Sequence, residues 1–214
     1  KHARRQPSVR CMSMWANVPM GPKDPILGVT EAFQADTNPS KLNLGVGAYR
    51  DDNGKPWTLP SVQEACERIV KADYPHEYAP IAGFKTFVDK GLKLAYGDDC
   101  EVLNSGSVAG IQALSGTGSL RICGEFVSRF SEGTKPDVYV PDPTWGNHIP
   151  IMQDSGLKVK KYRYYDKKTN GVDFSGLMED LKAAPDKSVI LMHVCAHNPT
   201  GADPTLDQWA EISA

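Results

Sequence analysis

The chain has 214 residues, 40% of them hydrophobic and 23% charged, and a formal net charge of -2. That length suits one large domain or two small ones, and the composition is that of a globular protein. No apolar stretch approaches the roughly 18–20 residues of a membrane helix, and the mildly acidic balance argues against nucleic acid as a partner.

The charge is uneven. Lys1, Arg4, Arg5, Arg10 and Lys23 give the first 23 residues a charge of +5, with no acid among them, so the remainder carries -7. An Arg-rich, acid-free start that does not begin with Met reads as the remnant of a mitochondrial or plastid transit peptide over residues 1–13, or as a basic tail. The five cysteines, Cys11, Cys66, Cys100, Cys123 and Cys195, are odd in number and lack any C-x-x-C spacing. This points away from a disulfide framework or zinc ribbon and toward a reducing compartment.

Met14 to Pro25, rich in Pro and Gly, reads as an extended arm, and Ile26 to Ala35 as a short helix with Pro25 near its start. Leu42 to Gly47 alternates like a strand and meets a turn at Asp51-Asp52-Asn53-Gly54. Ser61 to Ala72 is expected as a helix, with Ser61 as cap and Glu64 completing a capping box. Gly83 to Tyr96 is a second helix, with Phe84, Phe87, Val88, Gly91, Leu92 and Ala95 on one face.

Beyond this point strands and helices alternate. The expected strands are Val108–Leu114, Asp137–Val140, Leu157–Tyr164 and Ser188–Cys195. The expected helices are Gly118–Phe130, Gly146–Ser155 and Asp173–Ala183, the last capped by Asp173. Asp207 to Ile212 opens one more amphipathic helix. The alternation predicts an α/β domain with a mostly parallel sheet, and such sheets bind ligands beyond the carboxyl ends of their strands.

Three motifs follow predicted strands and can therefore converge on one face. Ser115-Gly116-Thr117-Gly118-Ser119 leads into a helix, whose first N–H groups lack internal partners and lie at the positive end of its dipole. The expected ligand is a phosphate, with the hydroxyls of Ser115, Thr117 and Ser119 as further donors. The loop is no dinucleotide fingerprint, since the third glycine position holds Arg121. In Pro143-Thr144-Trp145-Gly146-Asn147-His148, Trp145 can stack on a flat cofactor and donate its indole N–H, or it can serve as a core anchor. His148, three residues on, is expected on the same helix face. In His197-Asn198-Pro199-Thr200-Gly201, Pro199 restricts Asn198 and leaves a rigidly placed amide able to donate to an anionic oxygen; an ordinary turn is the plainer reading. His193, Cys195 and His197 alternate along the last strand, a weak case for metal without a fourth ligand. Gly45-Val46-Gly47-Ala48-Tyr49-Arg50 is a further glycine-bearing exit, suited either to a ligand or to close packing.

Together these residues resemble the aspartate aminotransferase family of class I pyridoxal-phosphate-dependent enzymes. The likeness runs from about Trp15 to the end and includes Asp24 to Phe33, Asn43 to Arg50, Ser115 to Gly118, Pro143 to His148 and His193 to Gly201. The segment Met20 to Phe33 looks more like the mitochondrial form. The resemblance implies a fold type I architecture. Residues 14–55 would form an N-terminal arm and part of a small domain, and residues 56–214 an incomplete large domain that binds the cofactor.

By the same resemblance, pyridoxal 5′-phosphate is the cofactor, dicarboxylate amino acids and 2-oxo acids are the substrates, and the assembly is a homodimer of the mitochondrial matrix, with plastid or cytoplasm as alternatives. Ser115, Gly116 and Thr117 would hold the cofactor phosphate, and Tyr78 would reach the phosphate in the neighbouring subunit. Trp145 would stack on the ring and bind a substrate carboxylate, and Asn198 would hydrogen-bond the phenolic oxygen. His148 and His193 would support the ring side, Gly47 would lie against the substrate, and Ile26 and Leu27 would line its entrance. The reaction implied exchanges the amino group of L-aspartate with 2-oxoglutarate by a ping-pong route. No lysine here sits in the family's Schiff-base context; that lysine is expected beyond residue 214, so the 214 residues alone are expected to be inactive. Other readings are an aromatic or kynurenine aminotransferase of the same fold, a truncated binding or dimer-partner chain, and a nucleotide-binding enzyme.

Overall fold

A computed structural model describes residues 15–19, 25–43, 45 and 47–214, with the side chains of residues 25–27 outside that description. The chain divides into two compact units, Lys1–Glu77 and Tyr78–Ala214.

The first unit holds α1 (Pro25–Ala35) and α2 (Pro60–Lys71). Pro60 presets the first helical φ and has no N–H to leave unpaired there. The helix therefore starts one residue early, with Leu59 as its cap. Ser61 falls inside the first turn, and the expected Ser61–Glu64 capping box is not formed. Glu64 instead pairs with Arg68 one turn on. The turn at Asp51–Gly54 is present. Asp51 accepts the N–H groups of Asn53 and Lys55 at 2.9 Å each, and Arg50 bridges Pro56. Leu42, Asn43, Gly45 and Gly47 lie outside any strand, while Leu44 and Val46 fall outside the described residues. Of the expected arm, Trp15–Asn17 is a turn closed by the Val18 N–H on the Trp15 carbonyl, and residues 14 and 20–24 are outside the described residues.

The second unit is an α/β domain. Its sheet joins β1 (Asp137–Asp142), β2 (Lys158–Arg163) and β5 (Val189–Ile190) in the order β2-β1-β5, all parallel. Val138 stands opposite Val159 on one side and Val189 on the other. Alternation along β1 sends successive side chains to opposite faces. Val138 and Val140 pack with Met152, Leu157, Leu120 and Val127, under α5 (Ser115–Phe130) and α6 (His148–Asp154). Tyr139 packs with Tyr162, Tyr164 and Leu177, under α7 (Phe174–Ala183). Both faces of the parallel sheet are thus covered by helices, as such sheets require. Asp173 caps α7 by accepting the Gly176 N–H at 2.9 Å. At α8 (Leu206–Ser213), Thr205 and Gln208 form a capping box. Among the described residues, no helix is long and apolar enough to cross a membrane.

Two expected strands are corrected. Residues 108–114 form no ladder. The run lies instead against α3 (Lys85–Tyr96), where a Cβ on Gly110 would stand 2.8 Å from Val88 and 3.3 Å from Leu92. The Gln112 N–H bonds the Ala82 carbonyl at 3.0 Å, and the Gln112 side chain accepts from the Phe84 N–H at 3.0 Å. The strand at Ser188–Cys195 shortens to β5, because past Leu191 the backbone turns to bond its own loop. The sequence reading did not anticipate the one-turn helix α4 (Glu101–Asn104) or the hairpin of β3 (Tyr165–Asp166) with β4 (Gly171–Val172).

Candidate active site

Strands β1 and β5 are neighbours, so the loops leaving their carboxyl ends lie side by side, where α/β sheets place ligands. The first loop carries Thr144, Trp145 and His148; the second carries His193, His197 and Asn198. A continuous row of rings joins them. Trp145 meets His148 edge to face at 5.2 Å, and His148 meets His193 edge to face at 5.1 Å. His193 lies 4.3 Å from His197, which stacks on Tyr164 at 4.0 Å and 18°. Trp145 precedes α6 rather than sharing its face with His148 as expected; the contact spans the helix start, where the His148 N–H bonds the Trp145 carbonyl at 3.0 Å.

Burial sets the chemistry of these imidazoles. His148 and His197 are buried, and desolvation, with the neighbouring His193 adding to it, pushes each down to about 4 from the usual 6.5. At His197 the Asp203 carboxylate opposes the shift. His193 is lowered by burial as well, against the same opposing Asp203 charge. All three are neutral at physiological pH. Thr144 Oγ1 lies 2.8 Å from His148 Nδ1, and Thr200 Oγ1 lies 2.8 Å from His197 Nδ1. His193 Nδ1 accepts the Asn198 N–H at 3.0 Å, so its own proton sits on Nε2. The Nε2 atoms of His193 and His197 are buried without a partner among the described residues. The expected strand alternation does not bring His193 and His197 together; the loop does, and Cys195 between them is exposed. No cluster of three His, Cys, Asp or Glu among the described residues is arranged to hold a metal.

The Ser115 turn stands apart from this row. Ser115 opens α5 with φ +53°, after Leu114. The first helical amide to bond backward is Gly118, to the Leu114 carbonyl at 3.0 Å, which leaves the N–H groups of Ser115, Gly116 and Thr117 outside the helical ladder. A Cβ on Gly116 would meet nothing within 4 Å, so the turn is open to an approaching anion. Ser119 is not the donor the sequence suggested, since its hydroxyl bonds the Ser115 carbonyl at 2.7 Å. No hydrogen bond or ring contact joins this turn to the histidine row among the described residues. The link is indirect: α5 packs on α6 at Gly124, where a Cβ would stand 2.6 Å from Ser155 Oγ.

Of the other expected site residues, Tyr78 is 94% exposed, and Asn198 is exposed. Gly47 is exposed in the first unit. Ile26 and Leu27 lie in α1, with side chains outside the described residues. Thr144, Tyr164, Thr200 and Asp203 were not anticipated. The spacing of Thr144 four residues before His148, and of Asp203 just past the Asn-Pro turn, is the only local signal for them.

Residues 39–214 match the family described as aminotransferase class I and II. The chain is 52% identical to a protein named mitochondrial aspartate aminotransferase from Xenopus tropicalis, over 99% of its length and 51% of that relative. Among solved structures, it matches cytoplasmic aspartate aminotransferase from Saccharomyces cerevisiae with a TM-score of 0.83 and 40% identity, over 93% of this chain and 48% of that one. It also matches an aromatic-amino-acid aminotransferase from Burkholderia pseudomallei, covalently bound to pyridoxal phosphate, with a TM-score of 0.87 and 41% identity, over 94% and 50% of the two chains. The chain spans about half the length of the relatives it matches.

Proposed function

Because the chain belongs to the class I and II aminotransferases and has their fold type I architecture, we propose that it supplies the phosphate- and ring-binding wall of an aspartate aminotransferase. The protein exchanges amino groups between L-aspartate and 2-oxoglutarate and acts as a homodimer in the mitochondrion, with residues 14–55 contributing to its small domain. The observation that carries this reading is the pairing of an open helix start at Ser115–Thr117 with the half-buried Trp145 beside a row of neutral histidines.

The residues fit pyridoxal 5′-phosphate. The three N–H groups outside the helical ladder at Ser115, Gly116 and Thr117 suit a phosphate, with the helix dipole adding to them. The Trp145 indole offers a face to a pyridine ring. The Asn198 side-chain amide makes no hydrogen bond among the described residues and suits donation to a ring oxygen, while its backbone N–H bonds His193. When bound, the cofactor supplies an electron sink that acidifies the α-hydrogen of an amino acid. The chain's own part is to hold and orient. The Ser115–Thr117 turn fixes the phosphate, and Tyr78 does so for the neighbouring subunit's site. Trp145 shields one face from water and binds a substrate carboxylate. Asn198 stabilises negative charge at the oxygen it bonds. His148 and His193 stay uncharged and keep the ring side from gaining stray positive charge. The family resemblance assigns Gly47, Ile26 and Leu27 to the substrate side. Moving the α-proton needs a base. No lysine of this sequence sits in the family's Schiff-base context, and the 214 residues alone are expected to give no turnover.

The test is a transamination assay on the whole protein with added pyridoxal phosphate, following oxaloacetate and glutamate from L-aspartate and 2-oxoglutarate, with phenylalanine and tyrosine as competing donors. The expected result is equal formation of both products, with aspartate preferred. Turnover of the aromatic donors in preference to aspartate would replace the substrate assignment, and no turnover with any donor would remove the reading.

A further inference from the structure

The loop that presents Asn198 is shaped by a residue that touches neither the histidine row's open side nor the Ser115 turn. The Asp203 carboxylate reaches back across the turn. One oxygen accepts the Ala196 N–H at 2.7 Å and the other the His197 N–H at 2.9 Å. Ala196 sits at φ +51°, in the left-handed region that a residue with a Cβ adopts only when its surroundings hold it there. The next two residues are His197 and Asn198. Thr200 lies 2.8 Å from His197 Nδ1 and accepts the Ala202 N–H at 3.2 Å, and Tyr164 donates to the Ala202 carbonyl at 2.7 Å. The loop closes on itself through Gly201 N–H to the His197 carbonyl at 2.7 Å. Every one of these bonds lies between residues 196 and 203 or anchors that stretch to Tyr164. Only one, Asn198 N–H to His193 Nδ1, passes its geometry onward to the proposed ring side.

From this arrangement we propose that Asp203 is a positioning residue for the cofactor: it clamps the backbone before Asn198 and so fixes both the Asn198 amide and the tautomer of His193. The inference rests on the aminotransferase reading above. Asp203 is itself exposed and contacts no reacting group; it acts through Asn198. Charge suits the task as well as shape. A carboxylate accepting two backbone N–H groups makes stronger bonds than a neutral acceptor would, and both bonds also hold its pKa below the usual carboxylate value, so the clamp stays charged at neutral pH.

The experiment measures pyridoxal 5′-phosphate affinity of the whole protein and of four variants: Asp203→Ala, Asp203→Asn, Asn198→Ala and the Asp203→Ala/Asn198→Ala double variant. Asp203→Ala is expected to weaken binding about tenfold, as loss of hydrogen bonds to a charged group does. Asp203→Asn, which keeps one acceptor, falls between it and the parent, and carries the test if Asp203→Ala does not fold. The double variant is expected to lose less than the product of the two single losses, because Asp203 works in part through that side chain. Losses that multiply in the double variant, or unchanged affinity in both single Asp203 variants, overturn the inference. A second readout needs no cofactor. In the cofactor-free protein, Asp203→Asn is expected to shift the His193 Nδ1 nitrogen resonance. An unmoved resonance overturns the inference even where the cofactor binds. A parent protein that binds no pyridoxal phosphate removes the functional reading instead, and the proposed role of Asp203 with it.

Discussion

The two ends of the candidate site are built on opposite plans. At the Ser115 turn, the donors are left open: three amides precede the first helical bond, and the Thr117 hydroxyl makes no hydrogen bond among the described residues. At the histidine row, each ring meets a partner at its Nδ1 atom, Thr144, Thr200 or the Asn198 N–H, and the rings support one another, while the Nε2 atoms of His193 and His197 have no partner among the described residues. An open turn can bind a ligand but cannot be ordered by its own contacts. The histidine row is held by its own contacts and fixes the geometry of its neighbours. The pairing divides the labour: one end holds, and the other orients.

This contrast predicts different costs on the two sides. Leu177 is fully buried beneath Tyr162 and Tyr164, the wall behind His197, so Leu177→Ala should cost about 3 kcal/mol in a denaturant melt. A loss well below 1 kcal/mol would mean that this wall is not packed as described. Gly124→Val strikes the seam between the two ends, where an added Cβ would stand 2.6 Å from Ser155 Oγ. It should destabilise by about 2 kcal/mol and weaken cofactor binding as α5 shifts on α6. Thr117→Val should weaken pyridoxal phosphate binding about tenfold with no change in melting temperature, since its hydroxyl supports nothing in the fold. A parallel loss of stability would blur the distinction between the two ends.

A further effect is set by pH. His148 and His197 have folded values near 4, below the unfolded 6.5, so the unfolded chain binds protons first as pH falls. Their neutral burial therefore costs nothing above pH 6.5, and stability falls as pH drops from 6.5 toward 4. Asp203, lowered as well, loses its contribution only at still lower pH, as its own carboxyl protonates. Replacing His148 by Asn should flatten the decline in melting temperature over that window; an unchanged slope would show that His148 does not carry it.

Legibility from sequence tracked how local each cause is. The cap of α7 by Asp173 and the turn at Asp51–Gly54 depend on neighbours within a few residues and are readable; the core strands β1 and β2 are readable from their alternation with helices. Ser61 was misread because one proline, Pro60, moved the helix start by a residue. The run 108–114 has the apolar pattern of a strand, but a strand needs a partner. Gly110 and Gln112 hold it on α3 instead, a contact that no local pattern announces. At the site, Trp145, His148 and Asn198 stood out by residue type. Asp203 and Thr200 act through backbone N–H groups, and such roles appear only once the loop has closed.

The most direct test of the account compares two ligands that differ only in the phosphate. Equilibrium binding of pyridoxal 5′-phosphate and of pyridoxal to the whole protein measures what the phosphate site contributes, the Ser115–Thr117 turn with Tyr78. The account predicts one site per chain and roughly 100-fold tighter binding of the phosphorylated form, in keeping with charge-assisted bonds at a helix start. Equal affinity for the two, or no binding of either, would contradict it.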